Sequence, residues 1–101
     1  MVDGMRPDRG ATMKQHTNAY FEWTTSDEAF IHHMEWITEN CEIDVRVRKN
    51  SFGDIQIFNG VYDKNGLVRM EEYIPDLDIH SVEDALAWGI KRTTSYSAEK
   101  S

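Results

Sequence analysis

The sequence predicts one α+β domain: a two-layer sandwich ordered strand, helix, three-strand antiparallel meander, helix, with both helices on one face of the sheet. Its 101 residues, 40% hydrophobic and 11% aromatic, supply one core and are too few for two. Two stretches with helical spacing, near 25–40 and 81–90, bracket three alternating stretches separated by turn-forming residues. The expected limits are a disordered tail at 1–16, a folded unit at 17–95 and a frayed end at 96–101.

The tail combines Gly4, Pro7 and Gly10 with scattered charge and little apolar content. Met13 is a candidate native start. From Asn18 to Thr24, Ala19, Phe21 and Trp23 alternate with Tyr20 and Glu22, which is a strand pattern. Thr25-Ser26-Asp27-Glu28 then reads as a capping box opening a helix to about Asn40. On a helical wheel Phe30, Met34, Ile37 and Cys41 share one arc, and Glu28, His32, Glu35 and Glu39 the opposite one.

Ile43, Val45 and Val47 alternate with Asp44, Arg46 and Arg48 in a half-buried strand that ends in the turn Lys49 to Gly53. The next strand, Asp54 to Tyr62, is broken by a bulge predicted at Asn59-Gly60 and closes at the hairpin signal Asp63-Lys64-Asn65-Gly66. A third strand runs from Leu67 to about Ile74, where Pro75 stops pairing. Ser81 caps the last helix, which turns Val82, Ala85, Leu86 and Ile90 inward. Within it, Gly89 either weakens the helix or permits close packing, and the polar residues from Thr93 to Ser101 are expected to fray.

Charge is the dominant functional signal. The net charge is −7, and between Lys14 and Arg46 there is no Lys or Arg but seven carboxylates: Glu22, Asp27, Glu28, Glu35, Glu39, Glu42 and Asp44. A second run, Glu71, Glu72, Asp76, Asp78, Glu83 and Asp84, precedes the cation Lys91. Such a field repels nucleic acid and anionic membrane and attracts basic surfaces. The lone Cys41 excludes an intrachain disulfide, no apolar run approaches the ~20 residues of a membrane span, and no secretory leader is visible. A cytoplasmic protein is expected.

Two surfaces compete as the binding site. In the first, Glu28, Glu35 and Glu39 form a row on the helix, spaced roughly 10 and 6 Å apart, with Asp76, Asp78, Glu83 and Asp84 as a second patch and Trp36 anchoring the rim. A solvated helix face is the ordinary meaning of such a stripe. The second is an uncovered sheet face that sets Arg46, Arg48 and Arg69 beside Phe58 and Tyr73, as single-stranded nucleic acid is held. It requires Arg46, Arg48 and Phe58 to be exposed together, and cross-strand ion pairs with Asp44 and Glu71 are the simpler account.

His16, His32, His33, His80 and Cys41 lack any metal-ligand spacing, so neither metal nor cofactor is expected. No phosphate-binding glycine loop, nucleophile elbow or paired-cysteine motif points to an enzyme. Cys41 follows the core arc, and Trp88 lies off the inward line of the last helix.

From Ser26 onward, the order helix, three-strand meander, helix resembles the double-stranded-RNA-binding domain, and with the preceding strand it resembles ribosome hibernation factors. That RNA-binding family grips phosphates with a basic start to its last helix. Here the corresponding residues are Ser81-Val82-Glu83-Asp84, which argues against RNA binding. Small acidic α+β chains are also similar to phage-encoded inhibitors and nucleic-acid mimics such as anti-CRISPR proteins.

The expectation is therefore a non-catalytic acidic protein that docks on a basic, nucleic-acid-binding surface of a protein partner and inhibits it, without touching nucleic acid or membrane. The alternatives are a small ligand- or RNA-binding module using the open sheet face and, third, a small enzyme. Self-pairing through that open face would give a homodimer.

Overall fold

The computed structural model describes residues 15–100, and the expected tail and the candidate start at Met13 fall almost wholly outside them. The element order is α1 (Asn18–Trp23), β1 (Ile31–Thr38), β2 (Cys41–Lys49), β3 (Ile55–Asp63), β4 (Val68–Leu77) and α2 (Val82–Lys100). The strands form one antiparallel sheet in the order β1-β2-β3-β4. The fold is α+β, with the expected meander and C-terminal helix in place.

Its N-terminal third differs from the predicted pattern. The stretch expected to be a strand is the short helix α1, and most of the stretch expected to be a helix is the strand β1. Six residues cannot hold a helix by themselves, so α1 exists through its anchors. Thr17 Oγ1 accepts from Ala19 N as the N-cap, while Thr17 N and Oγ1 both donate to Glu71 Oε1 on β4.

The predicted capping box does not form, and its residues bond to one another in a turn instead. Ser26 Oγ donates to Glu28 Oε1 and accepts from Glu28 N, after which the chain extends. Ile31, Trp36, Ile37 and Thr38 are β-branched or aromatic residues that suit a pleated surface, and the helix-like spacing of Phe30, Met34 and Ile37 is incidental to it. With a strand at 31–38, the order that resembled the double-stranded-RNA-binding domain is absent.

From residue 41 onward the strand alternation holds. Cys41, Ile43, Val45 and Val47 face α2 together with Ile55, Ile57 and Val61, and all of them are buried. Asp63 Oδ1 accepts from Asn65 N and Leu67 N to close the β3–β4 hairpin, whose Gly66 has φ +81°, the left-handed conformation that favours glycine. The bulge expected at Asn59-Gly60 does not occur: β2 and β3 stay in register throughout. Gly60 answers a different need, because a Cβ there would meet the Tyr62 ring at 2.4–2.8 Å. Nor does Pro75 end the strand. Ile57 pairs with Ile74 and Ile55 with Leu77, so Pro75 lies in a one-residue bulge on an edge strand, where its missing N–H is tolerated.

Ser81 caps α2 as expected, accepting from Asp84 N. The helix continues through the stretch expected to fray, reaching Lys100, because its buried stripe is made of small residues: Ala85, Gly89, Thr93 and Ser97. Thr93 Oγ1 donates to Gly89 O and Ser97 Oγ to Thr93 O, so each hydroxyl is satisfied within the helix while its small side chain lets the backbone approach the sheet.

The two helices lie on opposite faces rather than on one. α2 covers the face of Val45 and Ile57, whereas α1 meets β4 and β3 on the face of Phe58 and Tyr73. The sheet is therefore the middle layer of three over part of its area.

Candidate functional site

The face expected to be open carries its own small core. Trp23 from α1 is buried and packs against Phe58, Tyr73 and Phe30, and Tyr20 packs edge-on against Phe58. The Arg48 guanidinium stacks on Trp23 at 4.0 Å from the ring centroid and donates to Trp23 O, Gln56 Oε1 and Tyr73 Oη. It straps α1 to the sheet.

Arg46 makes a two-pronged pair with Asp44, whose second partner is His32 Nε2 at 2.7 Å. Burial works against the Arg46 charge, but the hydrogen bonds and charge of Asp44 outweigh it and hold its pKa above the usual value. Phe58 is 0% and Arg48 3% exposed, Tyr73 is half-buried, and of the five proposed sheet-face residues Arg69 alone is exposed. The joint exposure that single-strand binding needed is not met, because α1 takes the place of the bases.

Glu71 is the polar centre of this layer. Its side chain is fully buried and receives His16 Nδ1 at 2.6 Å, Thr17 N at 2.6 Å, Thr17 Oγ1 and the Tyr62 hydroxyl. Burial alone would raise its pKa, but the bonds from His16, Tyr62 and Thr17 prevail and lower it. Burial first and Glu71 second push the Tyr62 hydroxyl up. On the other face Glu72 is likewise lowered, its desolvation outweighed by Arg92 and Asn59.

A carboxylate with a lowered folded pKa contributes stability that is complete above its unfolded value and is lost as pH falls through the folded one. The urea midpoint should therefore be flat from neutral pH down to about 5 and drop below roughly 4.5. Glu71→Ala should cost about 3 kcal/mol at neutral pH, because four donors lose their acceptor, and should flatten the acid limb. Equal slopes in the variant and the wild type would contradict this.

The acidic residues separate into those spent inside the fold and those left outside. Asp44 and Glu72 are ion-paired to arginines, Glu71 is enclosed by four hydrogen-bond donors, and Glu42 is buried. The predicted row does not exist as a row: Glu28 lies in the turn before β1, Glu35 on the α2-side face of β1 against His33 Nε2, and Glu39 in the β1–β2 turn. Trp36, 52% exposed, points to the opposite face from Glu35, as strand neighbours must.

The residues of the second patch lie on either side of the join between β4 and α2. Asp76 lies in the bulge of β4 and Asp78 just past the strand's end, Glu83 and Asp84 occupy the first turn of α2, and all four are exposed. Asp54, at the start of β3, joins Asp76 and Asp78 around a shallow cleft of about 440 Å³ that also contains Lys49 and His80. Among the described residues none of these five carboxylates has an ion-pair partner. Sequence reasoning missed Asp54. The signal was its place beside the first hairpin turn, at the sheet end where β4 finishes.

A larger groove, about 550 Å³, runs between α2 and β4 and is lined by Met70, Trp88, Lys91, Arg92, Ser95 and Tyr96. Its Arg92 is committed to Glu72 and leans over the Trp88 ring at 5.5 Å. Cys41 is buried and donates to Ser97 Oγ, which makes it part of the packing. Among the described residues no group of three or more His, Cys, Asp or Glu side chains is placed to hold a metal ion, and no helix is long and apolar enough to cross a membrane.

No family model, curated protein or solved structure matches the chain.

Proposed function

We propose that this protein is a non-catalytic binding protein that presents carboxylates to a basic, nucleic-acid-binding surface of a protein partner and occupies it. The observation that supports this reading is the cleft that gathers Asp54, Asp76 and Asp78, with Glu83 and Asp84 in the first turn of the helix that follows, all exposed and without ion-pair partners among the described residues. Asp44 and Glu72, by contrast, are ion-paired within the fold to Arg46 and Arg92. Here like charges stand on a sheet end and a helix start that hold them in place, so a basic groove meets a preset array at little entropic cost.

Association of this kind is steered by the field and screened over about 8 Å at physiological salt. The test is capture of the partner from the native host with the wild type and with the variant Asp76→Lys, Asp78→Lys, Glu83→Gln, Asp84→Asn. All four positions are exposed, so circular dichroism should show an unchanged fold. The wild type should retain a basic nucleic-acid-binding protein at low salt and release it at high salt, and purified protein should displace that partner's nucleic acid. The variant should lose roughly tenfold or more in affinity. Equal capture by the variant, or capture indifferent to salt, would overturn the reading.

A further inference from the structure

The two edges of the sheet are built differently. β4 carries Pro75 in a bulge, the charges Arg69, Glu71, Glu72 and Asp76, and α1 packed against it, which are devices that keep another strand from pairing there. β1 has no proline and no row of charges, and its one irregularity lies at its end, between Trp36 and Thr38. It reads Ile31-His32-His33-Met34-Glu35-Trp36-Ile37-Thr38, with no Lys, Arg or Pro and a single carboxylate. Its pairing with β2 is regular from Ile31 to Trp36, and among the described residues nothing hydrogen-bonds to its outer backbone groups. Along it Ile31, Met34 and Trp36 are 38, 46 and 52% exposed, and Phe30 beside them is 44% exposed.

We infer that β1 pairs antiparallel with β1 of a second copy of this chain, making one eight-stranded sheet, with Met34 of each copy meeting on the two-fold axis. A two-fold axis normal to the sheet keeps each face continuous, so only residues of equal parity can stand opposite one another. Centred on Met34, that rule sets His33 of each copy against Glu35 of the other, Ile31 against Ile37, and His32 against Trp36. His33 and Glu35 already lie 2.9 Å apart within one strand, so two histidines and two carboxylates would alternate across the seam on the α2 side. On the other side Met34, His32 and Trp36 would cover one another.

The neighbouring registers are poorer. Centring on His33 sets Ile31 against Glu35, and centring on Glu35 sets two carboxylates in contact. A chain of net charge −7 resists self-association in general. The edge that escapes this is the strand with one carboxylate and two histidines. Because the carboxylate cleft lies at the β4 side, the dimer would carry one copy of it at each outer end, and Glu35 would belong to the seam instead of the partner-facing surface. The inference does not rest on the proposed function.

Sedimentation velocity on the full chain over about 1–200 μM tests it. The wild type should move from 11.8 kDa toward twice that mass. Met34→Lys, which sets two ammonium groups across the axis, should remain monomeric. His33→Glu should weaken association roughly tenfold, the weight of two like-charged cross-strand contacts, and the double variant His33→Glu, Glu35→Lys should recover it by reversing each pair. These side chains point outward, and unchanged thermal midpoints at low concentration would show that the monomer keeps its fold. A wild type that stays monomeric throughout, or a dimer whose affinity moves less than about threefold in both single variants, would overturn the pairing. Loss in Met34→Lys without recovery in the double variant would overturn the Met34-centred register.

Discussion

Trp23→Ala should lower the free energy of unfolding by about 4 kcal/mol, the usual cost of emptying a buried aromatic site. Trp23 is 2% exposed and touches Phe30, Phe58 and Tyr73, and the Arg48 guanidinium carbon lies over its ring at 4.0 Å. Removing the ring takes away the roof of a buried cation whose partners are all neutral oxygens: Gln56, Trp23 O and Tyr73. Because α1 has six residues, it cannot persist once its tether to the sheet is loosened. The variant should therefore lose protection of α1 amides in hydrogen exchange while α2 and the central strands keep theirs. A loss below about 1 kcal/mol in urea titration would mean that α1 contributes little and that the sheet face it covers is in effect open.

Gly89→Leu should be comparably severe, destabilising the protein by about 3 kcal/mol or more, for the opposite reason. A Cβ at Gly89 would stand 2.6 Å from Val45 Cγ1 and 2.7 Å from both Asn59 Oδ1 and Ile57 Cδ1. Three buried side chains would have to yield at once, and Asn59 is held from its other end, where Nδ2 donates to Glu72. Helix propensity pulls the other way by about 1 kcal/mol for any residue replacing glycine, which is too little to win. Gly89→Ala brings that gain with a smaller intrusion and should fall between the wild type and leucine. The order of the three thermal midpoints is the measurement. A leucine variant as stable as the wild type would mean that α2 can ride further from the sheet than its buried stripe of Ala85, Gly89, Thr93 and Ser97 implies.

The meander could be read from residues alone because its signals are local and agree with one another. Ile43, Val45 and Val47 alternate with charged neighbours, Asp63 to Gly66 can close a hairpin without help, and Ser81 precedes a helix whose first turn it caps. Nothing so consistent marks residues 18–40. Their apolar residues fit helical and extended spacing about equally, and Ser26 and Glu28 satisfy one another in a turn instead of capping a helix. Which one forms was settled at a distance: Thr17 is claimed by Glu71, and Ile31 to Trp36 find a hydrogen-bonding partner in β2. The row of Glu28, Glu35 and Glu39 depended on the losing assignment and went with it. Asp76, Asp78, Glu83 and Asp84 did not depend on that assignment, and all four are exposed.

The sequence by itself determined the α+β class, the three-strand meander, the capped last helix and an excess of carboxylates, since each follows from neighbours within a few residues. Only the tertiary structure decided that α1 lies across the arginine face, that Glu71 is buried under four donors, and that β1 is an edge without the guards of β4. These depend on contacts between residues far apart in the chain, whose free energies exceed the small local preferences of the segments they join.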